Sequence, residues 1–286
     1  MKKQWLVLTV LALWSASCGR APSAPSTPSA TAEPTTNMAS VATPTAAPMA
    51  PALPTKPLND AVENARALKS EGKLADARAA LQTLGDNLAG SDSVLDLLGE
   101  INMSILFSPA PAPEKVDYTV VAGDSLGKLA KQFGTTVELI KKSNNLTRDV
   151  IRVGDRLRIY QPHFAVTVSK SANVLTLTDN GKFFKRYRVG TGQFSKTPIG
   201  EFKIINRIAN PEWHRPDGKM IAYGSPENIL GTHWLGMDVP GYGLHGTWDT
   251  NSIGKAATAG CIRLLNDDIA ELFTILPVGT TVTIRD

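Results

Sequence analysis

Two side chains near the C-terminus have the types and spacing for covalent catalysis. Cys261 stands between Gly260 and Ile262, and His245 lies sixteen positions upstream. A thiolate is a strong nucleophile, and a neighbouring imidazole that takes the thiol proton lowers its pKa from about 8.5. Gly260 permits close backbone approach. The Cys261 amide and that of a neighbour can then point at a developing oxyanion. Arg263 has the planar fork that holds a carboxylate through two hydrogen bonds. A cysteine and a histidine alone are a weak signal, because a buried inert cysteine is the default. The remaining histidines, His163, His214 and His233, fit no HExxH-like spacing, and the chain has only two cysteines. Neither a metal nor a cofactor is therefore expected.

The elements that must position these groups are mainly β. Residues 163–286 hold 14 of the 23 glycines. Val174–Thr178 and Phe183–Val189 flank Asn180-Gly181, a strong two-residue hairpin signal. Further β-rich runs cover Glu201–Arg207 and Thr281–Arg285. One late helix is predicted from Asp267, capped by Asn266, with Ile269, Leu272 and Phe273 inward.

Ahead of this domain the chain changes character several times. Residues 1–17 carry Lys2 and Lys3 before an apolar run from Trp5 to Trp14, too short to span a bilayer and shaped as an export signal. Residues 18–58 are rich in Ala, Pro, Ser and Thr and predict a disordered tether. Residues 59–106 predict helices. Ala61, Ala65 and Leu68 share a face, as do Ala77, Ala80, Leu81 and Leu84, with a break at Gly72. Ser91 or Asp92 starts a third helix bearing Val94, Leu97, Leu98 and Ile101. Residues 107–116 read as a short stiff linker. Residues 117–160 read strand–helix–helix–strand: Tyr118–Val121 extended, Asp124 capping a helix with Leu126, Leu129, Ala130 and Phe133 inward, Thr136 starting the next, and Arg156–Tyr160 closing. The formal charge is +4 over 286 residues, with no basic stripe interleaved with aromatics, so nucleic-acid binding has little support.

Three resemblances sharpen this reading. The stretch AVENARALKSEGKLADARAAL is similar to one helix pair of a tetratricopeptide repeat, which implies a spacer or a docking unit for a protein partner. Residues 117–160, with YTVVAGDSLGKLA, NNL and IRVGDRLRI, resemble a LysM domain. That implies binding of peptidoglycan glycan, with Gly123, Asp124, Ser125, Leu126, Thr147 and Ile151 around a shallow groove. Capping or core packing is an equally physical use for Asp124 and Leu126.

Residues 163–286 resemble the L,D-transpeptidase catalytic domain of the YkuD type, through VGTG (189–192), KTPIGEF (196–202), ILGTHWLG (229–236), GYGLHGT (241–247) and TAGCIRLLN (258–266). The resemblance implies Cys261 as nucleophile and His245 as its base, oriented by a backbone carbonyl. It implies Gly260 and Cys261 as oxyanion-hole backbone, Thr258 in a Ser/Thr position, Arg263 near substrate, and Gly246 packing the histidine loop. Trp234, His233 and His214 would line or rim the cleft. Many members carry a second histidine two positions before the cysteine; Ala259 stands there, leaving His245 as the one nearby base.

The fold expected is thus multidomain: a small α-helical unit, an α+β LysM (βααβ) and a mainly β sandwich with one late helix. The implied reaction is acyl transfer between peptidoglycan stems giving 3-3 cross-links. A non-catalytic wall tether, an L,D-carboxypeptidase and a protein-to-wall attachment enzyme are the alternatives. The leader resembles a lipoprotein signal, although Ser15 replaces the usual Leu. That implies lipidation of Cys18, export to the periplasmic or cell-wall side and, with Gly19 following, an outer-membrane anchor.

Overall fold

The computed structural model describes residues 55–84 and 91–286. The expected signal segment, Cys18 and most of the expected tether lie outside the described residues. Among the described residues no helix is long and apolar enough to cross a membrane.

The helical region comprises α1 (Thr55–Ser70), α2 (Leu74–Gln82) and α3 (Asp92–Phe107). Helix α1 starts four residues before the expected boundary at 59. Pro57 lies in its first turn, where a missing N–H costs nothing, and Leu58 packs on the helical core. Gly72, with φ +76°, turns α1 into α2. Ala65, Ala77, Leu81, Val94, Leu97, Leu98 and Ile101 are buried together, as the helical periodicity predicts. Two further residues of α3, Met103 and Leu106, join the core of the domain that holds Cys261.

The expected linker is shorter than 107–116, because α3 runs through Phe107 and β1 begins at Lys115. The Lys115 ammonium donates to the carbonyls of Ile105, Ser108 and Ala110, capping the exposed end of α3. Burial lowers its pKa to about 8, with Arg158 adding to the effect.

Next come β1 (Lys115–Thr119), α4 (Leu126–Gln132), α5 (Val137–Ser143) and β2 (Arg156–Tyr160). β1 and β2 pair antiparallel, giving the expected βααβ unit. Thr136 caps α5 as expected, accepting from the Leu139 amide. The cap of α4 is Ser125 rather than Asp124. Asp124 instead accepts from the Tyr118 hydroxyl and the Val121 amide, both 2.9 Å away, and so closes the turn before the helix.

The last domain contains β3 (Phe164–Ser169), β4 (Val174–Asp179), β5 (Lys182–Arg188), β6 (Thr191–Gly192), β7 (Gly200–Ala209), β8 (Trp213–His214), β9 (Met220–Ile221), β10 (His233–Met237), β11 (Gly243–His245), β12 (Ala256–Thr258), β13 (Ile262–Arg263), α6 (Asn266–Ile275) and β14 (Thr281–Arg285). Asn180 and Gly181 both have positive φ, so the β4–β5 turn is the tight one their sequence predicts. Eight strands form one sheet, ordered β13-β11-β10-β7-β14-β3-β4-β5.

This curled sheet replaces the expected two-layer sandwich. The ten-residue β7 makes the difference: residues 200–203 pair with β14, while 204–209 pair with β10. One strand thus carries the ladder from one half of the sheet to the other. α6 packs on the sheet through Ile269, Leu272 and Ile275. It begins at Asn266, whose side chain accepts from the Thr232 amide at 3.1 Å instead of capping its own helix.

The three regions are bolted together. Asn102 of α3 donates to the Phe184 carbonyl of β5 at 2.8 Å, and Arg186 reaches Asp96 at 2.7 Å. From α5, Leu139 enters the core of the last domain. The Thr136 hydroxyl donates to the Thr274 carbonyl, and Arg207 meets Glu138 at 3.0 Å.

Candidate active site

His245 and Cys261 are distant in sequence and neighbours in the sheet. His245 ends β11, which pairs in parallel with β13: Leu244 lies opposite Ile262, and His245 opposite Arg263. Cys261 immediately precedes β13. Both side chains open on one cleft of about 540 Å³.

His245 is buried, and its Nδ1 lies 2.6 Å from the Gly246 carbonyl. A carbonyl only accepts, so Nδ1 carries the proton and Nε2 is left as the basic nitrogen. The indole of Trp234 stacks on the imidazole at 5.9 Å and 21°. Burial lowers the His245 pKa to about 4; the Gly246 carbonyl opposes this and the Arg263 charge adds to it. Burial likewise pushes the Cys261 thiol up, against weaker pulls from the Gly243 backbone and Arg263. At neutral pH the cleft therefore holds a thiol and a neutral imidazole among its lining groups.

Two threonines clamp the peptide before the thiol. Thr258 Oγ1 accepts from the Gly260 amide at 3.1 Å and donates to the Cys261 carbonyl at 2.7 Å. Thr197 Oγ1 accepts from the Gly192 amide at 2.7 Å and donates to the Gly260 carbonyl at 2.8 Å. This modifies one expectation, because the Gly260 amide is engaged with Thr258 and is no free oxyanion donor. Gly260 matters for shape instead. Its φ is +138°, and a Cβ there would meet the Tyr242 ring at 2.6 Å.

Gly246 has a similar steric role, since its Cβ would lie 2.2 Å from Asn266 Oδ1. Arg263 lines the cleft with its Nη1 3.6 Å from the Asp249 carboxylate. Its Nε is buried with no hydrogen-bond partner among the described residues.

Residues 163–284 match the model of the L,D-transpeptidase catalytic domain, and residues 118–159 match the LysM domain. The relative named "Putative L,D-transpeptidase YkuD" from Bacillus subtilis is 36% identical over 175 residues, covering 59% of this chain and 98% of that protein. This chain belongs to the L,D-transpeptidase family.

A second Bacillus subtilis relative, "Putative L,D-transpeptidase YqjB", is 41% identical over 127 residues, 42% of this chain and 70% of its own. A solved L,D-transpeptidase from Mycobacterium smegmatis aligns with TM-score 0.38 and 17% identity, over 47% of this chain and 65% of its own.

The transpeptidase cleft also takes in Trp234, His214 and Thr258 among the residues singled out from the sequence. His233 is not among them. Successive strand residues face opposite sides, so with Trp234 in the cleft His233 lies behind it, its ring 4.6 Å from Phe273 of α6. Its pKa is lowered by burial and then by the Arg207 charge.

In the LysM domain, Ser125 caps α4, Asp124 closes the preceding turn, and Leu126 is buried in the module's core. Gly123 (φ +90°) and Thr147 are exposed, while Ile151 packs against that core.

Several residues that support the cleft without lining it escaped sequence reasoning. Thr197 lies inside the KTPIGEF motif, and only its fully buried hydroxyl shows that it grips Gly260. Asn266 reads as a helix cap. Asn228 is buried and fixes the segment leading to His245, donating to the Pro211 carbonyl at 2.9 Å and accepting from the Leu230 amide at 2.9 Å. Nothing in its sequence neighbourhood marks it.

Proposed function

We propose that this protein is a peptidoglycan L,D-transpeptidase acting through a cysteine thioester. The observation that supports this reading is His245: its Nδ1 donates to the Gly246 carbonyl, which leaves Nε2 as the basic nitrogen, and the residue lines the same cleft as Cys261. The Cys261 sulfur attacks the carbonyl of the L,D bond in a tetrapeptide stem as His245 takes its proton. The Cys261 amide supports the oxyanion, the Gly260 amide being engaged elsewhere. His245 then protonates the departing D-alanine amine, and a thioester remains. The amine of a second stem's diamino acid attacks that carbonyl, the C–S bond breaks, and the 3-3 cross-link forms. Arg263, which lines the cleft, holds a donor carboxylate through its guanidinium.

The LysM module holds the enzyme on glycan through its exposed loops, including Gly123 and Thr147. The leader places the protein on the cell-wall side, with Cys18 as the lipid attachment point; loss of acyl labelling in Cys18→Ser tests that assignment. For the reaction, the protein is incubated with a disaccharide-tetrapeptide and the products are weighed by mass spectrometry. A dimer lacking one D-alanine, absent with Cys261→Ala, is the expected result. A tripeptide alone marks a carboxypeptidase. No product, with glycan binding intact, overturns the enzymatic reading in favour of a wall tether.

A further inference from the structure

The cleft mouth carries one carboxylate that the fold does not use. Residues 210–228 form a flap whose strands β8 and β9 pair Trp213 with Ile221 and His214 with Met220. It holds three acids. Asp217 pairs with Arg215 at 2.9 Å, and Glu227 with Lys219 at 3.2 Å and Arg215 at 3.8 Å. Glu212 makes no ion pair among the described residues, yet it is the flap acid that lines the cleft, and the only acid that does. Its two chain neighbours are held. The preceding carbonyl, of Pro211, is held by the buried Asn228 at 2.9 Å, and Arg215 lies over the Trp213 ring at 5.7 Å. The cleft is thereby sorted by charge, with the Arg263 cation beside Cys261 and an exposed anion at the mouth.

We infer that Glu212 is a specificity residue that recruits the acceptor ammonium and favours amine over water at the thioester. This rests on the transpeptidase reading. Donor and acceptor stems carry the same carboxylates and the same diamino-acid ammonium, so Glu212 does not sort them by net charge, while Arg263, near Cys261, suits a donor carboxylate. Only the acceptor must bring its side-chain ammonium to the thioester after D-alanine has left; the donor's own takes no part in the reaction. Water, the competing acceptor, is neutral and gains nothing from Glu212. An ion pair favours the protonated amine, so Glu212 acts on the encounter and not on attack. The ammonium first loses one proton to solvent. The amine nitrogen then attacks the thioester carbonyl, and its second proton passes through His245 to the departing Cys261 sulfur.

The test uses the full chain of wild type, Glu212→Gln and Glu212→Asp, with a disaccharide-tetrapeptide donor and a diamino-acid tripeptide as the varied acceptor. Glu212→Gln is expected to raise the acceptor KM by about two- to fivefold at low salt, the range of an exposed ion pair. Hydrolysed tripeptide should rise relative to cross-linked dimer, while kcat and the rate of donor acylation hold. Wild-type KM should climb toward the variant's above about 0.5 M salt, as screening removes the attraction. Glu212→Asp should restore part of the effect. An unchanged acceptor KM in Glu212→Gln, or an equal loss in donor acylation, overturns the assignment. Failure of wild type to release D-alanine overturns the underlying reaction instead.

Discussion

The LysM loop and the transpeptidase cleft were both read from sequence as ligand sites, and the fold treats them differently. In the LysM loop the polar groups of Asp124 and Ser125 are consumed locally, by the Tyr118 hydroxyl, the Val121 amide and the Lys128 amide. Leu126 is core. In the cleft, the thiol has a long contact, 3.5 Å, to the Gly241 carbonyl and a weak pull from the Gly243 backbone, and Arg263 meets the Asp249 carboxylate only at 3.6 Å. Buried polar groups are normally satisfied. A group held only loosely beside a cavity therefore points to a ligand more strongly than one closing a turn.

The widest contrast should come from Cys261→Ala, which is expected to reduce donor acylation at least about 10⁴-fold while leaving the unfolding midpoint in place. D-Alanine release and chemical denaturation measure both. Leu139→Ala tests whether the LysM domain is truly fused to its neighbour. It should destabilise the whole chain by about 2–5 kcal/mol, read as one cooperative urea transition. Two separated transitions would show independent modules.

Acid should expose the buried base. His245 has a pKa of about 4 when folded, against 6.5 ordinarily. The unfolded chain therefore takes up the proton first, and stability falls as pH drops from about 6.5 to about 4, by about 3 kcal/mol. A His245→Gln variant should lose that slope. Thr197→Val should slow acylation about 10- to 100-fold at unchanged donor KM, with Thr197→Ser near wild type, because Cys261 would sit on an unanchored peptide. Equal loss in both variants would argue against the hydroxyl clamp. The smallest effect belongs to Asp124→Ala. It should cost about 1–2 kcal/mol of stability and leave glycan affinity in pull-down unchanged, whereas a glycan-contact role would reverse the two.

Much of this was legible before any coordinates. The Asn180-Gly181 turn, the βααβ order and the segment carrying Cys261 all declare themselves through local chemistry. So in principle does the misplacement of His233: adjacent strand residues cannot both face one cleft, and that rule alone excludes the pair with Trp234. Other features depend on chain-distant partners. Asp124 and Ser125 are both good caps, and only the reach of the Tyr118 hydroxyl decides between them. Asn266 sits where a cap belongs, but the Thr232 amide claims it. Met103 and Leu106 lie on a second stripe of α3, and their partners on β5 are some eighty residues away in sequence. The sandwich became one curled sheet because β7 is long enough to serve both halves.

The contact at Leu139 has a mechanical consequence. A module joined by a loose linker swings, and its enzyme sweeps a volume. Here the LysM module packs directly on the catalytic domain, through Leu139, Thr136 and the Glu138–Arg207 pair. On the proposed reading the molecule works as a jig: a grip on one sugar strand sets both the reach and the angle at which a stem peptide must arrive. Stems at other positions along the strand are out of register until the grip is released and taken again.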